Sequence, residues 1–360
     1  VSAYRLPLKR GQPPGSSHGS RPLGLAGHQG DILSMCPSYT ESHSTGGGGG
    51  PLLLTAGDDR TARLWALAGP HAGAELIRFE RLKGSQAVSS LEENPLFEQV
   101  QDAQFLCLDG AVALATASRL AVYRFQLHLQ DTSDDIKRLQ RLGSYKCCGL
   151  LTLPKEPTAG QSLVAIAANN AVLSGTVLVA SSSKRVYVWD VAAEKVLAAV
   201  NTHSRPLTCL RLAQPASWAS ASMDVFYTAA LDGIIKLWDL RSMQECRSFR
   251  GGHIHSAQRT RCRLSPCLRY LGAPSEDGSV CVYDVRTGHV LGSKHCHRDA
   301  CVSVDVQPRT GSMVSCGFDG MVQFFRSPRP AGPTGQPPGG GIKDSRPRES
   351  LREVEMELPF

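Results

Sequence analysis

Val225 to Arg241 reads VFYTAALDGIIKLWDLR. Two runs of apolar and β-branched residues, VFYTAA and IIKLWDL, flank a Leu-Asp-Gly turn, and strand and turn chemistry together predict a β-hairpin. Asp232 sits in the turn, Thr228 four residues before it and Trp238 six residues after it. His203 upstream completes a set able to hydrogen-bond in series: imidazole to carboxylate, hydroxyl to imidazole, indole N–H to hydroxyl. Buried polar groups need such partners.

The pattern repeats along the chain. A turn aspartate followed six positions later by an aromatic recurs at Asp59/Trp65, Asp232/Trp238, Asp277/Tyr283 and Asp319/Phe325. Two weaker copies keep only the aromatic strand end, SRLAVYRF with Tyr123 and KRVYVWDV with Trp189. Successive aromatics lie 58, 66, 49, 45 and 42 residues apart. The later intervals approach the ~40–45-residue period of propeller blades. Helical repeats would require a 3.6 periodicity that these segments lack. With its Trp-Asp strand ending and upstream histidine, the repeat resembles that of the WD-repeat family of β-propellers. The resemblance implies an all-β chain with six visible blades, and seven in the complete domain. A seventh blade is expected either before residue 1 or within the 66-residue interval. DDIKRLQRL, THSRPL and SPCLRY are similar to the C-terminal propeller of one member of that family, over about residues 97–326.

Each blade should then carry a structural hydrogen-bond network. The expected members are His28, Thr55, Asp59 and Trp65; His203, Thr228, Asp232 and Trp238; His253 and Asp277; and His297, Ser315 and Asp319. The blade of Tyr283 departs from the pattern, with Ala273 where the hydroxyl belongs, so its network should be incomplete.

The formal charge of +7 and 41% hydrophobic content suit an ordinary soluble domain. The 12 cysteines are scattered without paired spacing, which suits reduced thiols in a cytoplasmic or nuclear, non-secreted protein. No apolar signal segment is visible near the start, and the absence of an initiating Met suggests a fragment of a longer chain. Leu163 to Ala180 is uncharged over 18 residues and long enough for a membrane span. Asn169-Asn170 and Ser174-Gly175 divide it, so two buried strands are expected and no membrane contact.

In order, residues 1–10 offer one short strand, Ala3 to Leu8, expected to close the last blade beside the strand ending in Phe325. Residues 11–27 read as a flexible linker and 28–326 as the propeller. Residues 327–360, rich in Pro, Gly and Arg, read as a disordered tail that supplies no strand. Blade one is expected at Asp31–Cys36, Leu52–Gly57, Thr61–Trp65 and Glu75–Phe79, with a flexible five-glycine loop between the first two. Val100–Phe125 should give three strands of a degenerate second blade, with Asp131–Leu142 as a short helix or its fourth strand. The third blade is expected to run from Leu150 to Val191.

The Ser/Thr–His–Asp sets use the residue types of a hydrolase triad. Their repetition argues against catalysis, since one enzyme does not carry an active site in every blade. There is also no phosphate-cradling Gly-rich loop followed by Lys and no His-Glu-x-x-His, so no catalytic residue, cofactor or small-molecule substrate is expected. His289, His295, Cys296, His297 and Cys301 cluster in sequence, but no second ligand pair lies at zinc-site spacing, and no metal is expected. Trp238-Asp239-Leu240-Arg241 and Tyr283-Asp284-Val285-Arg286 share a W/Y-D-x-R ending. In the WD-repeat family this ending marks many substrate receptors of cullin-4 ubiquitin ligases, so the resemblance makes Arg241 and Arg286 candidate partner-binding residues for the cullin-4 adaptor. An arginine just past a strand end could reach the rim and grip a partner carboxylate. Arginines at 247, 250, 259, 261, 263 and 269 form a basic stretch, but strand alternation would scatter them, so nucleic acid is not the expected partner. The expectation is a non-enzymatic scaffold that binds proteins or peptides on propeller surfaces, with the cullin-4 receptor as alternative.

Overall fold

The computed structural model describes residues 25–38, 51–68, 71–80, 98–127, 138, 140, 143–152, 162–168, 176–181, 184–213, 225–307, 312–325 and 351–353. These form 24 strands in six four-stranded sheets, the blades of a β-propeller fold. The chain divides into two compact units, residues 1–200 and 201–360, each containing three blades.

In the first unit, blade one comprises β1 (Ile32–Pro37), β2 (Leu52–Gly57), β3 (Ala62–Ala66) and β4 (Glu75–Phe79). Blade two comprises β5 (Val100–Leu106), β6 (Ala111–Thr116), β7 (Arg119–Gln126) and β8 (Ser144–Thr152). Blade three comprises β9 (Leu163–Ala168), β10 (Thr176–Ser181), β11 (Arg185–Asp190) and β12 (Lys195–Asn201). The pairings within blades one and two, and those of β10 with β9 and β11, are antiparallel, and strands adjacent in sequence are adjacent in the sheet. Blade two is completed by β8, not by residues 131–142, so blade three begins later than the sequence suggested. Tyr145 of β8 explains the assignment: its ring packs on Phe79 at 4.9 Å and Tyr123 at 5.8 Å, filling the seam between blades one and two. Leu163 to Ala180 forms two strands, β9 and β10, and among the described residues no helix is long and apolar enough to cross a membrane.

In the second unit, blade four comprises β13 (Leu207–Leu212), β14 (Val225–Ala230), β15 (Ile234–Asp239) and β16 (Gln244–Phe249). Blade five comprises β17 (Arg263–Leu264), β18 (Tyr270–Pro274), β19 (Ser279–Asp284) and β20 (Val290–His295). Blade six comprises β21 (Cys301–Val306), β22 (Met313–Gly317), β23 (Val322–Phe325) and β24 (Leu351–Glu353). The opening stretch is the β14–β15 hairpin, with Phe226 opposite Trp238 and Thr228 opposite Lys236. Gly233 takes φ +71° in its turn, a conformation that costs glycine little. The middle strands β18 and β19 of blade five are buried throughout, while the fourth strands β16 and β20 are mostly exposed. Each seam therefore buries the faces of two blades, as in the cluster of Tyr227, Phe249, Leu271 and Tyr283.

Residues 1–10 and most of 11–27 lie outside the described residues, as do the five-glycine loop and residues 326–350. The seat beside β23 is held by β24, which pairs in parallel register, Val322 opposite Leu351. That strand comes from the segment read as a strandless tail. A parallel pairing needs a connection of about a dozen residues or more, and the sequence between Phe325 and Leu351 exceeds that. The 66-residue interval holds β8, β9 and β10 among its described residues, which belong to blades two and three and not to an extra blade.

Candidate functional site

The histidine networks assemble as chains of donors. In blade one, Trp65 Nε1–H donates to Thr55 Oγ1 at 2.8 Å. Thr55 Oγ1 lies 2.8 Å from His28 Nε2, and His28 Nδ1 lies 2.9 Å from Asp59 Oδ2. Blade four repeats this: Trp238 Nε1–H to Thr228 at 2.9 Å, Thr228 to His203 Nε2 at 2.8 Å, His203 Nδ1 to Asp232 at 3.1 Å. The partners assign the tautomer: Nδ1–H donates to the carboxylate, and Nε2 accepts the hydroxyl proton. The geometry follows from strand alternation. Phe226, Thr228, Lys236 and Trp238 share one face of the hairpin, so the indole reaches the threonine diagonally.

Each aspartate also closes its turn. Asp232 accepts from the backbone N–H of Ser204 and Ile234. Burial pushes its carboxyl up, but the nearby His203, the Ser204 N–H and the other donors outweigh it and hold Asp232 below the usual range. Asp59 behaves likewise, with burial opposed by Thr61, Gln29 and His28. His203 itself is pushed down by burial despite Asp232.

Blade six keeps part of the chain. His297 Nε2 lies 2.8 Å from Ser315 Oγ, and Nδ1 lies 3.1 Å from Asp319, while Phe325 supplies no donor. His297 therefore serves its blade. Cys296 and Cys301, beside it in sequence, reach Ser315 Oγ and the Cys316 carbonyl. Among the described residues no group of three or more His, Cys, Asp or Glu could hold a metal ion.

Blade five is rebuilt around its substitutions. Ala273 offers no hydroxyl, and His253 Nδ1 instead meets the Tyr283 hydroxyl at 2.7 Å, which also accepts the Gly252 N–H at 3.0 Å. Asp277 does not reach His253; it closes its turn by accepting from the Ser279 N–H and hydroxyl. Burial depresses His253 to about 4, with His255 adding to the shift. Its Nε2 and the Nδ1 of His255 are buried without a hydrogen-bond partner. In blade three, which has only the aromatic of the pattern, the buried Trp189 indole N–H is likewise unpartnered.

Several structural residues escaped the sequence pattern. Asp102, buried at the start of blade two, accepts from Ser34 Oγ of blade one at 2.5 Å and from the Ile166 N–H of blade three at 3.0 Å. Arg63 joins Asp59 (3.3 Å) to Glu75 (2.7 Å), and Lys236 in the matching position pairs with Glu245 at 2.7 Å. This cation, two residues before Trp65 and before Trp238, was a legible signal. Thr208 of blade four meets His255 Nε2 at 3.1 Å. Glu276 accepts from the consecutive N–H groups of Ser256, Ala257 and Gln258 at 2.7–2.8 Å. Burial alone would raise its carboxyl, but these three donors and the Ser256 hydroxyl bring it down to about 2.

Arg241 and Arg286 occupy equivalent places, two residues past the ends of β15 and β19, and both are exposed. Their backbone N–H groups close the turns by donating to Asp239 (2.9 Å) and Asp284 (2.8 Å). The basic stretch is dispersed: Arg263 pairs with Asp305, and Arg269 lies over the Tyr270 ring. At the opposite ends of β19 and β23, blades five and six expose Ile254 (54%) and Phe318 (56%). Backbone bonds tie these residues to their blades, Glu276 N–H to the Ile254 carbonyl and Phe318 N–H to the Ala300 carbonyl. Gly278, just before β19, takes φ +83°, and a Cβ there would strike the His297 carbonyl. Arg298 is exposed in the same loop system.

Six four-stranded blades, two of them carrying complete Trp–hydroxyl–His–Asp chains, make a β-propeller that contains WD-type repeats. Two segments, residues 20–66 and 194–239, match the WD domain, G-beta repeat family, and they contain the two complete networks. Over 257 residues the chain is 23% identical to the apoptotic protease-activating factor 1 of Danio rerio, covering 71% of this chain and 16% of that protein. Over 72 residues it is 32% identical to the guanine nucleotide-binding protein subunit beta of Oryza sativa subsp. japonica, covering 20% of this chain and 18% of that protein. The chain thus spans less than a fifth of the length of either relative.

Proposed function

We propose that this chain is a non-enzymatic scaffold that binds protein or peptide partners on exposed loops of its blades. The supporting observation is how the polar chemistry is distributed. The hydroxyls and imidazoles of the complete networks are buried and bonded to one another, so Thr55 and Thr228 are not available as nucleophiles. On blades five and six, Ile254, Phe318 and Arg298 are exposed, a combination suited to a peptide carrying an apolar anchor and a carboxylate. The relatives' names point the same way, one a protease-activating factor and the other a subunit of a larger protein.

The finer reading, a substrate-recognition subunit of a cullin-4 ubiquitin ligase, is favoured by the matched, exposed placement of Arg241 and Arg286 on adjacent blades. Proximity labelling with wild type, I254D/F318D and R241A/R286A distinguishes the two. Partner loss confined to I254D/F318D supports the loop-binding scaffold. Loss of the cullin-4 adaptor alone in R241A/R286A supports the ligase receptor. Adaptor retention in that variant removes it, and unchanged partners in I254D/F318D remove the loop surface.

A further inference from the structure

Blades four and five meet at two thiols that the networks do not use. Cys209, on β13, and Cys262, immediately before β17, are 2% and 3% exposed. Their sulfurs lie 4.0 Å apart, 53 residues apart in sequence, with the Cys262 S–H directed at Cys209. Neither residue belongs to a zinc-like spacing, and each comes from a different sheet. We propose that Cys209 and Cys262 are a redox modification site, forming an interblade disulfide when the protein meets a peroxide.

The geometry favours this pair over the other cysteines. A disulfide requires sulfurs ~2.05 Å apart and Cβ atoms ~3.5–4.5 Å apart, so bonding needs a closure of about 2 Å shared between two χ1 rotations and the seam. Cys147, Cys148, Cys246 and Cys267 are exposed, and their sulfurs meet the Gly149, Lys146 and Gln244 carbonyls and Ser265 Oγ. The electrostatics agree. The hydrogen bond from Cys262, together with Arg211 and Arg261, holds Cys209 below the usual thiol range, while the same bond and burial push Cys262 up. This bond makes Cys209 the attacking sulfur and Cys262 the resolving thiol of the proposed reaction.

The step balances in two parts. The Cys209 thiolate attacks one peroxide oxygen; the S–O bond forms, the O–O bond breaks, and the departing hydroxide takes up a proton as water. Cys262 then loses its proton and attacks the Cys209 sulfenic sulfur, forming S–S and breaking S–O, with a second water leaving. Two thiols lose two electrons and the peroxide gains them. Burial restricts entry to a small oxidant during local opening of the seam, which makes the reaction slower than oxidation of exposed thiols but directs it to an internal partner. The product would fasten β13 to β17 and close a long chain loop, making blade separation harder.

The test is peptide mapping of the full chain after hydrogen peroxide, with remaining thiols alkylated under denaturing conditions before digestion. The expected result is a peptide pair joined through Cys209 and Cys262, released by dithiothreitol, and a Tm that rises on oxidation and returns on reduction. In C262S, dimedone should trap a sulfenic acid on Cys209. Recovery of both residues as alkylated thiols while the exposed cysteines are oxidised would overturn the proposal. So would a sulfinic acid on Cys209, or a disulfide from either residue to another partner. The mapping on wild type decides the question even if C262S fails to fold.

Discussion

At the residue scale, Tyr283 shows how a blade survives the loss of its hydroxyl. Its phenol takes both the Gly252 N–H and the His253 imidazole, so it replaces a hydroxyl and an indole together. Burial pushes the phenol up to about 12, so it stays a neutral donor. Removing only that oxygen in Y283F leaves the buried His253 imidazole and the half-buried Gly252 N–H unsatisfied and should cost about 2 kcal/mol. A urea midpoint equal to wild type would show that the bonds are dispensable. Three histidines also set a pH response. Burial is the main cause lowering His203, His253 and His255, whose facing groups are Asp232, Lys236, Tyr283, Thr208 and Glu276. A folded-state value below the unfolded ~6.5 means that the unfolded chain binds more protons. Their contribution is therefore complete above the unfolded value and is lost as pH falls towards about 4, the value at His253. Chemical unfolding between pH 7 and 4.5 should show stability falling with pH, with a shallower slope in H253Q. Identical slopes would remove His253 from the response.

At the element scale, the Asp-to-aromatic spacing was legible because a tight turn and a two-residue strand period leave little freedom. Asp232 closes the turn, and Trp238 must then share a face with Thr228. The fourth strands were less legible. β8 was displaced from the segment expected for it, because what selects it is the fit of Tyr145 against Phe79 and Tyr123. β24 could not be read at all, since a three-residue parallel strand has almost no pattern of its own. Its pairing makes a prediction: truncation before Leu351 should speed amide exchange in Val322–Phe325 while β21 and β22 retain their protection. Unchanged exchange in β23 would mean that β24 contributes nothing to that edge.

At the scale of the molecule, each unit is held by seams between blades, and the polar ties across the seams carry more consequence than their number suggests. Asp102 links all three blades of the first unit through Ser34 and Ile166. Replacing it with Ala strands a buried hydroxyl and a buried N–H and should cost about 3 kcal/mol, with Asn recovering part of it. A loss in Asp102→Ala no larger than that of an exposed Asp→Ala substitution would refute this role, with calorimetry as the measure. In the second unit the corresponding ties are Thr208 to His255 and the thiol pair at Cys209 and Cys262. None of these was visible in the sequence, because their partners lie about 50 to 70 residues apart and share no repeat spacing. Sequence alone determined the all-β class, the blade period, and the His–hydroxyl–Asp–Trp chains of blades one and four. Those depend on local strand alternation and turn chemistry, which act within one blade. Only the tertiary structure decided which segment fills each fourth-strand seat, how blade five reroutes His253 to Tyr283, and which buried groups tie blade to blade. Those outcomes depend on the close fit of two sheet faces, and that fit exists only once the blades have packed.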